Sequence, residues 1–230
     1  MKSNFPRQGY SGFTLIELLV VIAIIGVLAG LGLSVTGGVK RQQYLKPARA
    51  ELDQIATALD NFKAQYGVYP PSNPNLTPAL NTLYYELSGV THNLASQTYT
   101  TLDSSYTISD GSYAAAFTAG GASIGGIINC TKGSAEDGTA AKDFLPSLRQ
   151  NRIGIETNGT TLIGILVTSV GGPDQRYMAA LAAAGFSGNP FRYVYPGTNN
   201  PSSYDLWIDL SISGKTNRIS NWTRQPQILP

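Results

Sequence analysis

The sequence predicts an α+β protein in which one long N-terminal helix packs on a globular head that carries a small antiparallel β-sheet. Three observations predict it. Residues 18–39 form an uncharged run of 22. Leu45, Ala48, Leu52, Ile55, Leu59, Phe62 and Tyr66 then recur in steps of three and four, the stripe of an amphipathic helix. Near the other end, Asn189-Pro190-Phe191-Arg192-Tyr193-Val194-Tyr195-Pro196-Gly197 and Tyr204-Asp205-Leu206-Trp207-Ile208-Asp209-Leu210 are strand patterns separated by turn residues.

The first element is the uncharged run. As a helix rising about 1.5 Å per residue it spans roughly 33 Å, enough for a bilayer core of about 30 Å. Ahead of it lie residues 1–12, short and polar, with Lys2 and Arg7 and ending in Gly12. A secretory signal peptide has its cleavage site after the apolar run; here the small residue suited to cutting stands before it, so processing would leave the anchor on the chain. Glu17 sits at the lip of the span, where an acidic side chain costs about 2.5–3.5 kcal/mol on insertion scales. Lys40, Arg41, Lys46 and Arg49 follow the run, so counting positive charges does not orient it.

The helical pattern continues through the stripe, with Arg49, Glu51, Asp53, Asp60 and Lys63 on its other faces. Gly37-Gly38 and Pro47 are soft points, since glycine favours the coil and proline lacks the N–H of a helix interior. The helix ends near Tyr66, with Gly67 as a left-handed cap and Pro70-Pro71 preventing continuation. Four prolines make 68–80 an extended connector, and 81–87 is a short helix closing at Gly89. Between 90 and 142 the chain is rich in Ser, Thr, Gly and Ala, with strand-like pieces at 99–102 and 105–108. Residues 160–167 are a buried strand and 175–184, closed by Gly185, a short helix. The hairpin follows, with a loop from Gly197 to Ser203.

Composition excludes several functions. The chain carries 16 basic and 14 acidic side chains, and removing Lys2 and Arg7 leaves 14 of each, without the basic surplus of a nucleic-acid binder. The single Cys130 has no cysteine to pair with, and the one histidine, His92, lies in a polar segment. The sequence predicts no catalytic residues, no metal ligands and no cofactor: no nucleophile, base and orienting group fall into a pattern. Glu136-Asp137 is a solvated loop pair, and the glycine-rich 120–126 lacks the Gly-Lys-Ser/Thr ending of a phosphate loop.

Gly12-Phe13-Thr14-Leu15-Ile16-Glu17-Leu18-Leu19-Val20-Val21-Ile22-Ala23-Ile24-Ile25-Gly26 resembles the prepilin signal of type IV pilins and type II secretion pseudopilins. Gly188-Asn189-Pro190-Phe191-Arg192-Tyr193 and Tyr204-Asp205-Leu206-Trp207 resemble strands of the major (G-type) pseudopilin. The resemblance covers about 9–71 and 186–212. It implies a pilin fold: leader 1–12, a long helix over 13–66 with its transmembrane part at 13–39, and a head over 67–230 enlarged by an insertion at 72–185.

Prepilin peptidase would cut between Gly12 and Phe13 and methylate Phe13. Glu17 would serve assembly by neutralising the N-terminal amine of a neighbouring subunit. The implied function is a structural subunit of a secretion pseudopilus, not an enzyme. It is extracted from the bacterial inner membrane by an ATP-driven machine and pushes substrates across the outer membrane. Its implied partners are copies of itself, other pseudopilins, the peptidase, the inner-membrane assembly platform and membrane lipid, with no nucleic acid. The protein would cross the membrane once, with the N-terminus cytoplasmic and the head periplasmic. The alternative is a type IV pilin or minor pilin, building surface fibres for adhesion, motility or DNA uptake, with an extracellular head.

The major pseudopilin has a calcium loop after the hairpin. Here no acid follows Asp209, while Lys215 and Arg218 would repel a cation, so no tightly held calcium is expected. Asp205 and Asp209 remain as possible ligands, with capping or turn hydrogen bonds the simpler role.

Overall fold

The computed structural model describes residues 12–32, 36–74, 77–119, 122–123, 125–132, 140–158, 161–170 and 174–229. The chain divides into two compact units, 1–43 and 44–230. In the first, helix α1 covers Leu15–Gly32, and helix α2 (Thr36–Tyr66) begins there and continues into the second. Of the expected span 13–39, residues 33–35 lie outside the described residues. The 18 residues of α1 reach about 27 Å, and among the described residues no helix is long and apolar enough to cross a membrane.

In the second unit the stripe does what its spacing dictates. Leu45, Ala48, Leu52, Ile55, Leu59 and Phe62 are buried, while Tyr66 packs at the edge against Phe62 and Phe144. Pro47 stays inside α2 on its exposed side. Gly67 takes φ +78° just past the helix and its N–H reaches the Lys63 carbonyl at 2.8 Å.

Helix α3 (Leu83–Ser88) is wholly buried. It starts two residues later than its sequence suggests, because Asn81 turns inward and donates to the Pro78 and Phe191 carbonyls. Strands β1 (Val90–Asn93), β2 (Thr98–Thr101) and β3 (Thr107–Ser109) lead to α4 (Asp110–Ala116). The short pair β4 (Thr118–Ala119) and β5 (Ala122–Ser123) follows, and then β6 (Cys130–Lys132). These build a sheet of order β3-β2-β1-β6, in which β6 runs parallel to β1 and the other pairs are antiparallel. A 3-10 turn (Gln150–Arg152) opens the hairpin β7 (Ile153–Asn158) and β8 (Thr161–Leu166), and α5 (Gln175–Ala183) follows.

The C-terminal sheet has order β12-β11-β10-β9. Strand β9 (Arg192–Val194) pairs antiparallel with β10 (Asp205–Ile212), as the sequence predicts, although the loop is longer, over 195–204. The sequence gives no hint of β11 (Lys215–Ser220) or β12 (Gln227–Leu229). Ser213 and Gly214 both have positive φ, 54° and 73°, and close a tight two-residue turn between β10 and β11. Leu206, Ile208 and Leu210 enter one core with α2 and the α3 tyrosines.

The other face of β10 is not left to solvent. Asp209 accepts from Arg218 Nε at 2.8 Å and Nη2 at 2.9 Å, with Arg192 Nε 3.9 Å away. Ser211 donates to Asp174 at the start of α5, and Arg192 donates to the Tyr177 hydroxyl. The α+β architecture of N-terminal helix and mainly antiparallel sheets is consistent with the pilin fold.

Candidate functional site

Gly12, Phe13 and Thr14 precede α1 in irregular backbone. A Cβ built at Gly12 meets nothing within 4 Å, and Phe13 is 76% exposed. Nothing within the described chain therefore demands glycine at 12. The bond after it is presented openly at the head of a helix.

Thr14 and Glu17 form a reciprocal pair. The Thr14 N–H and hydroxyl each donate to Glu17 Oε2 at 2.8 Å, and the Glu17 N–H returns a 3.3 Å bond to Thr14 Oγ1. The first helical bond, Leu18 N–H to Thr14 carbonyl, closes at 3.2 Å. This is a capping box: the first turn of a helix has N–H groups with no partner in the helix, and the paired side chains satisfy two of them. It also sets a carboxylate at the positive end of the helix dipole. Thr14 went unremarked in the sequence, although the spacing Thr14-x-x-Glu17 ahead of an apolar run is a capping-box signal.

Beyond Glu17 the helix is apolar on every side. Leu15, Ile16, Ile22 and Leu28 are among the many exposed large side chains, and no face of α1 is polar. A helix apolar all round requires a surrounding apolar medium or packed neighbours.

The N-terminal segment matches the Prokaryotic N-terminal methylation motif, over residues 7–33. With that motif goes homology in the N-terminal region to type II secretion system core protein G. The chain is 37% identical over 70 residues to that protein from Pseudomonas aeruginosa, covering 30% of this chain and 49% of the relative. The Escherichia coli core protein G is 40% identical over 65 residues, 28% of this chain and 45% of that one. The type IV major pilin protein PilE1 of Neisseria gonorrhoeae is 33% identical over 63 residues, 27% and 29% of the two chains. The chain spans about half the length of the core protein G relatives it matches. No solved structure matches.

The remaining candidates belong to the second unit. Asp205 accepts from the Asn199 N–H, the Asn199 side-chain amide and the Asn200 N–H, so its oxygens shape the 195–204 loop. Asp209 sits in mid-strand, as the 204–210 pattern predicts, but its side chain makes no cap or turn bond of the kind the sequence favours; it pairs with the Arg218 guanidinium. His92 lies 2.9 Å from Asp110 Oδ2 and stacks on Tyr99. Cys130 is buried in β6, 3.6 Å from the Thr131 carbonyl. Among the described residues no three His, Cys, Asp or Glu side chains could hold a metal ion together. Glu136 and Asp137 lie outside the described residues, as do Gly120, Gly121 and Ile124 of the glycine-rich run.

Proposed function

We propose that this chain is a structural subunit of a type II secretion pseudopilus, processed at its N-terminus and polymerised through α1. The observation that carries the reading is the conjunction of the methylation motif with an apolar helix that opens on a Thr14–Glu17 capping box. The repeated similarity to core protein G supports the secretion setting. A membrane anchor is the coarser statement that this likeness supports; a single pass over 13–39, with the head in the periplasm, is our finer reading.

In this reading prepilin peptidase cuts after Gly12 and methylates Phe13. Freed at residue 13, the chain begins one residue before the capping box, so its new amine lies next to Glu17. In hydrocarbon both charges are costly alone and tolerable together. The Glu17 carboxylate engages Thr14 through one oxygen and pairs with the amine of a neighbouring copy as subunits stack. Other pseudopilins, the inner-membrane assembly platform and lipid complete the set of partners, and the work is mechanical rather than catalytic.

The similarity to PilE1 favours a second reading, a type IV pilin or minor pilin on a surface fibre. Electron microscopy of producing cells separates the two, since long extracellular fibres support the pilin. The assembly step is tested with Glu17→Ala, by cross-linking in membranes. Processed monomer without the ladder of cross-linked multimers is the expected result; wild-type ladders would remove Glu17 from the mechanism.

A further inference from the structure

A cleft of about 660 Å³ opens between α2 and the segment that follows β11. Arg49 builds it. Its guanidinium donates to the Ser220, Thr223 and Arg224 carbonyls at 2.6, 2.5 and 2.7 Å, and so pins 220–224 beside the helix. Asn221 is equally committed: its amide donates to the Tyr204 carbonyl, and its Oδ1 accepts from the Leu206 N–H. These two side chains are spent on the fold and frame the cleft.

The groups left over define what the cleft can take. Asp53 and Asp60 line it from α2, Trp222 and Arg224 from the pinned segment. Among the described residues the Asp53 carboxylate, the Arg224 guanidinium and the Trp222 indole N–H make no hydrogen bond or ion pair. Asp60 has only the Tyr69 hydroxyl, at 3.2 Å. The two aspartates and two arginines that line the cleft cancel in charge, so neither a cation nor an anion is favoured overall. Seven residues of helix set the carboxylates roughly 10 Å apart along the axis. That is too far to share a metal ion, and it calls for an elongated ligand. Carboxylates only accept, while guanidinium and indole only donate, so the ligand must offer both roles along its length. Hydroxyl groups do so, each being donor and acceptor at once. Trp222 adds an aromatic surface for an apolar C–H face.

We propose that this cleft binds a neutral oligosaccharide, its hydroxyls shared between Asp53 and Asp60 on α2 and Arg224 on the facing segment, with one sugar ring stacked on Trp222. A cell-wall glycan and a surface polysaccharide both offer this chemistry. The cleft lies wholly within 44–230, so the inference goes beyond the pseudopilus reading and does not rest on it.

Titration calorimetry of the full-length protein, in a zwitterionic detergent without sugar head groups, tests it. The probes are chitotriose, which carries the acetamido groups of wall glycans, cellotriose, which carries hydroxyls alone, and a trilysine peptide. Saturable binding of at least one sugar is expected, weakened about tenfold in Asp53→Ala and in Arg224→Ala, since each removes charged hydrogen bonds. Both side chains are exposed and unbonded, so either replacement leaves the fold intact. Tighter binding of chitotriose assigns the site to a wall glycan, and tighter binding of cellotriose to a surface polysaccharide. No binding of either sugar, binding of trilysine in their place, or sugar binding unchanged in both variants overturns the proposal.

Discussion

Glu17 was legible because a carboxylate beside 22 uncharged residues is out of place, and the cost of stranding it demands a partner. Its local partner, Thr14, was less visible, since threonine before a helix is unremarkable until the reciprocal bonds are seen. Asp209 teaches the opposite lesson. The sequence leaves it as a possible cation ligand, but only the β10–β11 register brings Arg218 opposite it. That pair is mostly desolvated, with side-chain exposures of 11% and 28%. Removing one partner leaves a charge in poor company, so Asp209→Ala should destabilise the head by about 3 kcal/mol. A denaturant midpoint measured in detergent checks this, and an unchanged midpoint would mean that the pair contributes nothing net.

At the scale of elements, α2 was the most legible part of the head because a stripe with a 3.6-residue period needs no knowledge of the rest of the fold. Among its described side chains seven are buried; six are the ones the spacing selects, and the seventh is Ala58. Leu52→Ala should cost about 3 kcal/mol, read from the same unfolding curve. The strands around β1 were far less legible, since they are three or four residues long and β6 returns to pair with β1 only after β2, β3, α4, β4 and β5. Strand β11 was hidden because Lys215-Thr216-Asn217-Arg218 is polar, and its Asn217 and Arg218 are accommodated by partners rather than by apolar burial. Two glycines separate backbone strain from steric crowding. A methyl group at Gly67, φ +78°, meets nothing, so Gly67→Ala should cost only the left-handed penalty of about 1 kcal/mol. At Gly185, φ +91°, the same group comes 2.5 Å from the Thr157 carbonyl oxygen, and about 2–4 kcal/mol is expected. Equal costs at the two sites would refute this assignment of causes.

For the molecule as a whole, the two units answer to different conditions. The head buries a core of its own, built on α2 and the C-terminal sheet. The N-terminal helix depends on its surroundings, with its large apolar side chains exposed from Leu15 to Leu28. That dependence was written in composition alone. The segments joining the head's sheets were not, because Ser, Thr and Gly serve strands, turns and loops alike.

The central claim is that the chain is processed into a filament subunit, and mass spectrometry of the protein extracted from its native membrane addresses it most directly. The account predicts a mature chain that lacks residues 1–12 and begins at methylated Phe13. Recovery of the intact chain from Met1, with an unmodified Gly12–Phe13 bond, would contradict it.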